Sequence, residues 1–599
     1  MKWITCAALI FLWCLSQVTL AQVSELPQQP KDIAQAQTAA TVDVDLVMTV
    51  RFELSGKLDD TLSDLLKRYV SVLNRAAEKT TTSELRLVQF SVTKEIADIL
   101  ATAGYFSPII TYQTEGNASN TLVKIVVELG AATRISATHI EFVDDAVPQT
   151  LQQLIRTQWG LPVGAQFRDD DWSRSKNAAL NRLTEHSYAA AKISSSQALV
   201  QDQLADLSLE LDSGPAFHIG ELHIKGLNLY QAWLIERYHP PEKGDIYNRE
   251  KLLKFQRELQ NSPYFSSVTV SVDPAPELAD AVPVEVLVSE RQQYEVGLGA
   301  GYSSNTGARG ELSFRDRNFW NDAYDFLSVM RIEQLRQIGY ADIYLPPRSS
   351  GYLDSFGVLV DRSDISGLLT STSSFGAKRV LTEGALERRL GLSFVYEEST
   401  VNGGRETLAK ALVSSIGWTW RNVNSMFEPR QGQITQVDIG AAAKALLSDQ
   451  NFVRLYGKYQ RWIPVGTRDT ILLRVEGGYV IAPSSVGIPE DDLFRAGGTG
   501  SVRGYAYQSL GVNQDAGVTG GIVMTTASAE YVHWLTQTWG VAAFMDVGDA
   551  ADKLTDLSLK QGAGFGVRYK TPAGPIAVDL AYGRQTHKLR LDFSIGIAF

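Results

Sequence analysis

The sequence predicts three α+β modules of order β-α-α-β-β followed by a 16-stranded antiparallel transmembrane β-barrel. A local pattern returns three times between residues 46 and 290, and after Glu290 helical periodicity gives way to short alternating runs that continue to Phe599. Beyond the first 21 residues no long apolar run is free of charge. If the chain spans a membrane, it therefore does so as a closed barrel, the other fold that satisfies every backbone group in lipid.

The first 21 of the 599 residues, MKWITCAALIFLWCLSQVTLA, join Lys2, an apolar run and small residues at 19 and 21. This is the pattern of a secretory signal peptide cut after Ala21, since the apolar run is shorter than the roughly 18 residues of a spanning anchor. Cys6 and Cys14 both fall inside it, so the mature chain is expected to lack cysteine, and FLWC lacks the small residues that precede a lipid-modified cysteine. Disulfides and cysteine-based metal or nucleophile chemistry are then excluded. Loss of Lys2 leaves 55 basic and 67 acidic side chains, net −12. That balance argues against nucleic acid, which needs a basic stripe. Residues 22–45, Ala/Gln-rich and polar, read as a flexible lead-in.

The repeated pattern is LATAGYFSPI, LTEHSYAAAKI and LQNSPYFSSV, in which Leu100, Leu183 and Leu259 each stand five residues before Tyr105, Tyr188 and Tyr264. Strand-period runs follow each tyrosine: Val123, Ile125, Val127; Leu207, Leu209, Leu211; Val284, Val286, Val288. Two helical stretches precede it, such as 61–75 and 84–103 after a strand at 48–54. The modules are placed at 46–130, 131–214 and 215–290, with the tyrosines as core anchors rather than ligand contacts.

From residue 291 the runs alternate with period two. YEVGLGAGY sets Tyr294, Val296, Leu298, Ala300 and Tyr302 against Gly297, Gly299 and Gly301, and TILLRVEGGYV sets Ile471, Leu473 and Val475 against Arg474 and Glu476. GFGVRYK places Phe565, Val567 and Tyr569 on one face, and LRLDFSIGIAF keeps Leu589, Leu591, Phe593, Ile595, Ile597 and Phe599 in phase. A soluble sandwich would also alternate. Aromatic run ends and a charged inner face favour a membrane barrel. Strands are expected to begin near 294, 311, 325, 338, 355, 374, 389, 409, 432, 451, 469, 522, 538, 563, 575 and 588. Sixteen strands in 309 residues give about 19 per strand with its connection, compatible with the ~10 needed to cross.

The gap at 481–521 is far longer than a hairpin loop. With the modules on the inner side, it is the sixth external loop, and it contains GGTGSVRGYAYQ. A cation tucked into the lumen must find a carboxylate, because an unpaired buried charge is very costly. The loop is therefore expected to fold inward, with Gly497, Gly498, Gly500 and Gly504 allowing positive φ and close approach to the wall. Arg503 is expected to pair with Asp546 of FMDVG on the thirteenth strand, with Glu530 of SAEY as second acceptor.

The three modules resemble POTRA domains, although Ser187 stands where such modules usually carry glycine. Val502, Arg503, Gly504 and Tyr505 (VRGY), with Phe544, Asp546 and Gly548 of the F-x-D-x-G run, resemble the two signature motifs of the BamA/TamA superfamily. Three modules resemble the TamA branch, the translocation and assembly module subunit, more than the five-module BamA branch. The resemblance implies a Gram-negative outer-membrane location with periplasmic POTRA modules. It also implies help in inserting or secreting outer-membrane proteins such as autotransporters, and a TamB-like inner-membrane-anchored partner. Unfolded outer-membrane proteins would add a strand to the modules and then to the barrel seam. There the glycine-rich Tyr294, Gly297, Gly299 and Gly301 face Gly596 and Phe599, a closure expected to be weak.

No catalytic motif appears, so the protein is not expected to be an enzyme, and no cofactor or metal is implied. The loop glycines lack GxGxxG spacing and a following GK[ST]. His218 and His223 fall on opposite faces of a predicted strand, against a metal site. The alternatives are a two-partner secretion pore exporting a specific polypeptide, usually with two modules and a plug helix, and a passive porin or barrel enzyme, for which the modules would have no purpose.

Overall fold

The computed structural model describes residues 46–595 except 118, 144–145, 349–350, 403 and 572–573. The predicted leader and lead-in, and Gly596 and Phe599 of the expected seam, lie outside the described residues. Two compact units form: one of residues up to Arg134 with Gln166–Asp169, the other of Ile135–Ala165 and the chain from Asp170 onward.

The first module comprises β1 (Val47–Ser55), α1 (Asp60–Tyr69), β2 (Glu78–Thr81), α2 (Thr82–Thr102), β3 (Ile109–Asn117) and β4 (Asn120–Glu128), in sheet order β2-β1-β4-β3. The Asp59 carboxylate caps α1 by accepting from the Leu62 N–H at 2.7 Å, and Thr81 with Glu84 forms a capping box that starts α2. The first helix ends at Tyr69, short of the expected residue 75, where a 3₁₀ turn at Ser71–Asn74 begins. The short β2 strand has no counterpart in the sequence expectation, because EKTT carries no alternating apolar signal. Leu66, Ile96, Leu100 and Ile125 are fully buried between helices and sheet.

The second module holds β5 (Arg134–Phe142), α3 (Gln149–Thr157), α4 (Asp169–Glu185), β6 (Lys192–Gln201) and β7 (Leu204–Asp212), in order β5-β7-β6. The third holds β8 (Ile219–Lys225), α5 (Ala232–Glu236), α6 (Arg249–Gln260), β9 (Phe265–Val272) and β10 (Val282–Glu290), in order β8-β10-β9. In all three the last strand lies between the first and the middle one. The pairing is antiparallel to the middle strand, and in the first and third modules it is parallel to the first. Leu183 and Leu259 are fully buried, and the alternating valines and leucines of β4, β7 and β10 face the cores.

Sixteen antiparallel strands then form one sheet in chain order, a nearly closed barrel. They begin at 294, 307, 324, 336, 353, 368, 386, 406, 432, 452, 469, 523, 539, 560, 574 and 588. The largest offset from expectation is at the sixth, placed at 374 and beginning at Leu368. Leu298, Phe565, Leu589 and Leu591 stand exposed on the outside, as a lipid-facing side requires. Inside, charges meet in pairs: Arg315 with Asp325 (2.6 Å), Arg389 with Asp438 (2.7 Å) and Lys458 with Glu476 (2.9 Å).

The third module docks on the first inner turn of the barrel. The Tyr264 hydroxyl donates to the Ala323 carbonyl at 2.7 Å and the Tyr230 hydroxyl to the Arg317 carbonyl at 3.1 Å. Ala323 is buried in the module's own core, and the two tyrosine rings meet edge to face at 5.1 Å. Tyr264 is thus both a core anchor and a latch onto the barrel.

Candidate functional site

The chain leaves the eleventh barrel strand (Asp469–Ile481) and returns in the twelfth (Val523–Trp534). Between them the loop doubles back on itself through backbone bridges Phe494 to Gly521 and Ala496 to Leu510, and carries a small hairpin of Val512–Gln514 and Gly517–Thr519. Phe494, Ala496, Val502, Tyr505 and Leu510 of the loop are buried against wall residues including Ala411, Val413, Met524 and Ala550. The loop lies inside the lumen with an apolar core shared with the wall, which excludes the reading of a surface flap.

Its tip approaches the wall at backbone distance. Gly504 has φ +90°, and a Cβ there would stand 2.7 Å from the Gly583 nitrogen. On the wall side, a Cβ at Gly562 would meet the Arg503 carbonyl oxygen at 2.0 Å, so both surfaces must be glycine. Gly497 and Gly498 also take positive φ, whereas Gly500 does not and has nothing within 4 Å of its would-be Cβ. The expectation for Gly500 is therefore corrected: its place in open lumen demands no glycine.

The structure brings Arg503, Asp546 and Glu530 together. Arg503 is 3 % exposed and Asp546 is fully buried. The arginine grips the aspartate three times, from its backbone N–H (3.0 Å) and Nε (2.8 Å) to Oδ2 and from Nη2 to Oδ1 (3.0 Å). Its Nη1 donates to Glu530 Oε2 at 2.7 Å. The guanidinium carbon lies 3.4 Å from the centroid of the Phe544 ring, so the F-x-D residues of the thirteenth strand supply a face and an acceptor, both pointing inward. Gly548 follows on the same face, where a Cβ would stand 2.9 Å from Val502. The Tyr505 hydroxyl donates to the Gln561 carbonyl at 3.1 Å.

Three partners escaped the sequence reading. Asp579 of the fifteenth strand accepts from Arg503 Nη1 at 3.0 Å. Arg568 of the fourteenth bridges Glu530 (2.7 Å) and Asp579 (2.5 Å) from the other side, and Ser528 donates to Asp546 at 2.6 Å. The signal was present, since Arg568 alternates with outward Val567 and Tyr569 and Asp579 with the half-exposed Val578 and Leu580. The cluster holds two cations and three carboxylates, all buried. Such a network holds together only because every charge is paired and hydrogen-bonded, and removal of one member strands the others. Its chemistry is a clamp that ties loop 482–522 to four consecutive wall strands.

The expected seam is the second feature. Every other neighbouring pair of barrel strands is joined by a backbone ladder, but among the described residues none joins the first strand (Tyr294–Ser303) to the sixteenth (Lys588–Ile595). There the Ser304 hydroxyl donates to the Phe593 carbonyl (3.2 Å) and accepts from its N–H (3.1 Å). Tyr294 is exposed. A Cβ on Gly297 would meet Ser313 Oγ at 2.4 Å, and one on Gly301 would stand 3.0 Å from Arg309 Nε. Side chains of the second strand thus lie over the bare backbone of the first. Gly299 has only ordinary clearance.

Comparison with known proteins agrees with this architecture. Residues 294–599 match the Omp85 superfamily domain, and residues 217–291 match the POTRA module, a surface antigen variable number repeat. The outer membrane protein assembly factor BamA of Nitratidesulfovibrio vulgaris is 22 % identical over 445 residues, covering 69 % of this chain. BamA of Neisseria meningitidis serogroup B is 22 % identical over 459 residues, covering 70 %. The chain spans 56 % of the length of each. The crystal structure of Haemophilus ducreyi BamA lacking POTRA domains 1–3 superposes with a TM-score of 0.63 at 16 % identity, covering 77 % of this chain and 98 % of that one. With more than half its residues inside the matching domain, the chain belongs to the Omp85 superfamily, as an outer-membrane barrel with its POTRA modules in the periplasm.

Proposed function

We propose that this protein is a TamA-type subunit that assembles or secretes outer-membrane proteins such as autotransporters, working without catalytic chemistry. In this reading the periplasmic modules accept substrate strands by edge addition, and the barrel passes them to its seam, which opens laterally into the lipid. A TamB-like protein anchored in the inner membrane is the proposed partner. The observation that carries the reading is the seam itself. Among the described residues the first strand has no ladder to the sixteenth, and such an edge offers backbone donors and acceptors to an incoming strand, which is how an exposed edge recruits another chain. The two BamA relatives, named as assembly factors, and the three modules within residues 46–290 support it.

The test is depletion of the protein followed by quantification of the outer-membrane proteome. Several barrel proteins, autotransporters among them, are expected to fall together. Loss of one secreted polypeptide with an unchanged membrane proteome would instead identify a two-partner secretion pore.

A further inference from the structure

Below the clamped loop tip, toward the periplasmic mouth, the lumen contains a cavity of 320 Å³. Its roof is the arginine clamp and its floor is the turn between the eighth and ninth strands, which carries Phe427 and Arg430. The clamp leaves it alone: Arg503 and Arg568 are saturated by Asp546, Glu530 and Asp579, and Lys458 is held by Glu476. Two other cations, Arg430 in the floor turn and Arg474 in the wall, are only partly occupied, Arg474 Nη2 donating to Ser528 at 3.2 Å. Among the described residues, Arg430 Nε and Arg474 Nε are buried donors with no hydrogen-bonding partner in the protein, and Gln460 Oε1 and Thr470 Oγ1 are buried without a partner in the same wall. Buried polar atoms of this kind are normally paired, and four around one cavity call for a ligand that carries both acceptors and donors.

Two guanidinium groups select an anion of planar, two-oxygen geometry, the carboxylate. Gln460 Oε1 asks for an N–H. Trp462 and Trp534 add flat apolar walls. A small inorganic anion would satisfy the arginines and leave the amide acceptor and the indoles without use. A polypeptide offers all three groups at once: acidic side chains, backbone N–H and apolar side chains. We propose that this cavity is a docking site for an acidic stretch of extended polypeptide entering from the periplasm, its carboxylate held by Arg430 and Arg474 and its backbone N–H by Gln460. The site rests on the reading of the barrel as a handler of polypeptide chains.

The experiment uses the full chain, purified in detergent, and two fluorescein-labelled peptides, one alternating Asp with Val and the other Asn with Val. The acidic peptide is expected to bind about tenfold more tightly than its Asn counterpart, and that preference is expected to vanish in Arg430→Gln/Arg474→Gln. Heat-modifiable electrophoretic mobility reports that the variant barrel is folded. Should the double variant not fold, Gln460→Leu leaves every charge in place and is expected to weaken the acidic peptide about fivefold. Equal affinity for the two peptides, an unchanged preference in the variants, or displacement of the peptide by inorganic phosphate at matched concentration would overturn the site. Peptide binding as expected, with an outer-membrane proteome unmoved by depletion, would keep the site and remove the assembly reading.

Discussion

Arg503 shows how one side chain can decide whether forty residues of loop stay inside a barrel. It neutralises carboxylates from three wall strands and stacks on Phe544, so its removal leaves Asp546, fully buried, with no guanidinium to hold it. Arg503→Ala is expected to cost about 3–5 kcal/mol, the usual penalty for breaking a buried pair from one side. Urea unfolding of the barrel would measure it. Arg503→Lys keeps the charge but cannot fork to two oxygens. It is expected to fold with a loosened loop, seen as faster proteolysis within residues 482–522. Wild-type protection in Arg503→Ala would remove the clamp from the account. The pair itself was legible, because the parity of FMDVG and SAEY turns Asp546 and Glu530 inward. Which further inward charges converge was not, since the tilt and stagger of the closed barrel bring Arg568 and Asp579 under the loop, and no local spacing encodes that.

At the scale of elements, a residue shortly after the last helix ties the second module to the third and the third to the barrel. Ser187 has φ +67°, a conformation in which a β-carbon is strained. It is held there by backbone bonds to the third module, its N–H donating to the Tyr247 carbonyl (2.9 Å) and its carbonyl accepting from the Phe217 N–H (2.7 Å). The first module puts Gly104 at the matching place with φ +90°. Ser187→Gly is therefore expected to stabilise the chain by about 0.5–1 kcal/mol, read as a raised urea midpoint, and a lowered midpoint would contradict the strain. In the third module Pro263 takes this position and the tie passes to Tyr264, whose hydroxyl reaches the Ala323 carbonyl. Tyr264→Phe keeps the packing but strands that buried carbonyl, at about 1–3 kcal/mol. Faster amide exchange in the turn at residues 320–323 would report the lost latch. The tyrosine repeat was plain in the sequence, but the latch was not, because a backbone carbonyl acceptor has no residue signature.

Across the barrel, strength is distributed unevenly, and this asymmetry bears on mechanism. Strands twelve to fifteen are tied to each other by ladders and to the loop by the clamp, so this quarter of the wall is over-determined. The opposite holds where the first strand meets the sixteenth. A backbone hydrogen bond contributes about 0.5–1.5 kcal/mol net, and a full ladder multiplies that many times over, so a junction that among the described residues is held only at Ser304 separates more easily than a laddered pair. On the proposed function, a wall with one weak junction opens there and keeps its shape elsewhere, while the clamp keeps the loop tied to strands twelve to fifteen. Ser304→Cys with Phe593→Cys, bridged by a short reducible thiol crosslinker, should then abolish outer-membrane protein assembly while leaving the barrel folded, and reduction should restore it. The same crosslinker between cysteines on the laddered first and second strands, at Tyr302 and Ala308, serves as the control and should leave assembly intact. Full activity in the bridged seam variant would mean that substrates do not pass between these two strands, leaving the lumen as the route.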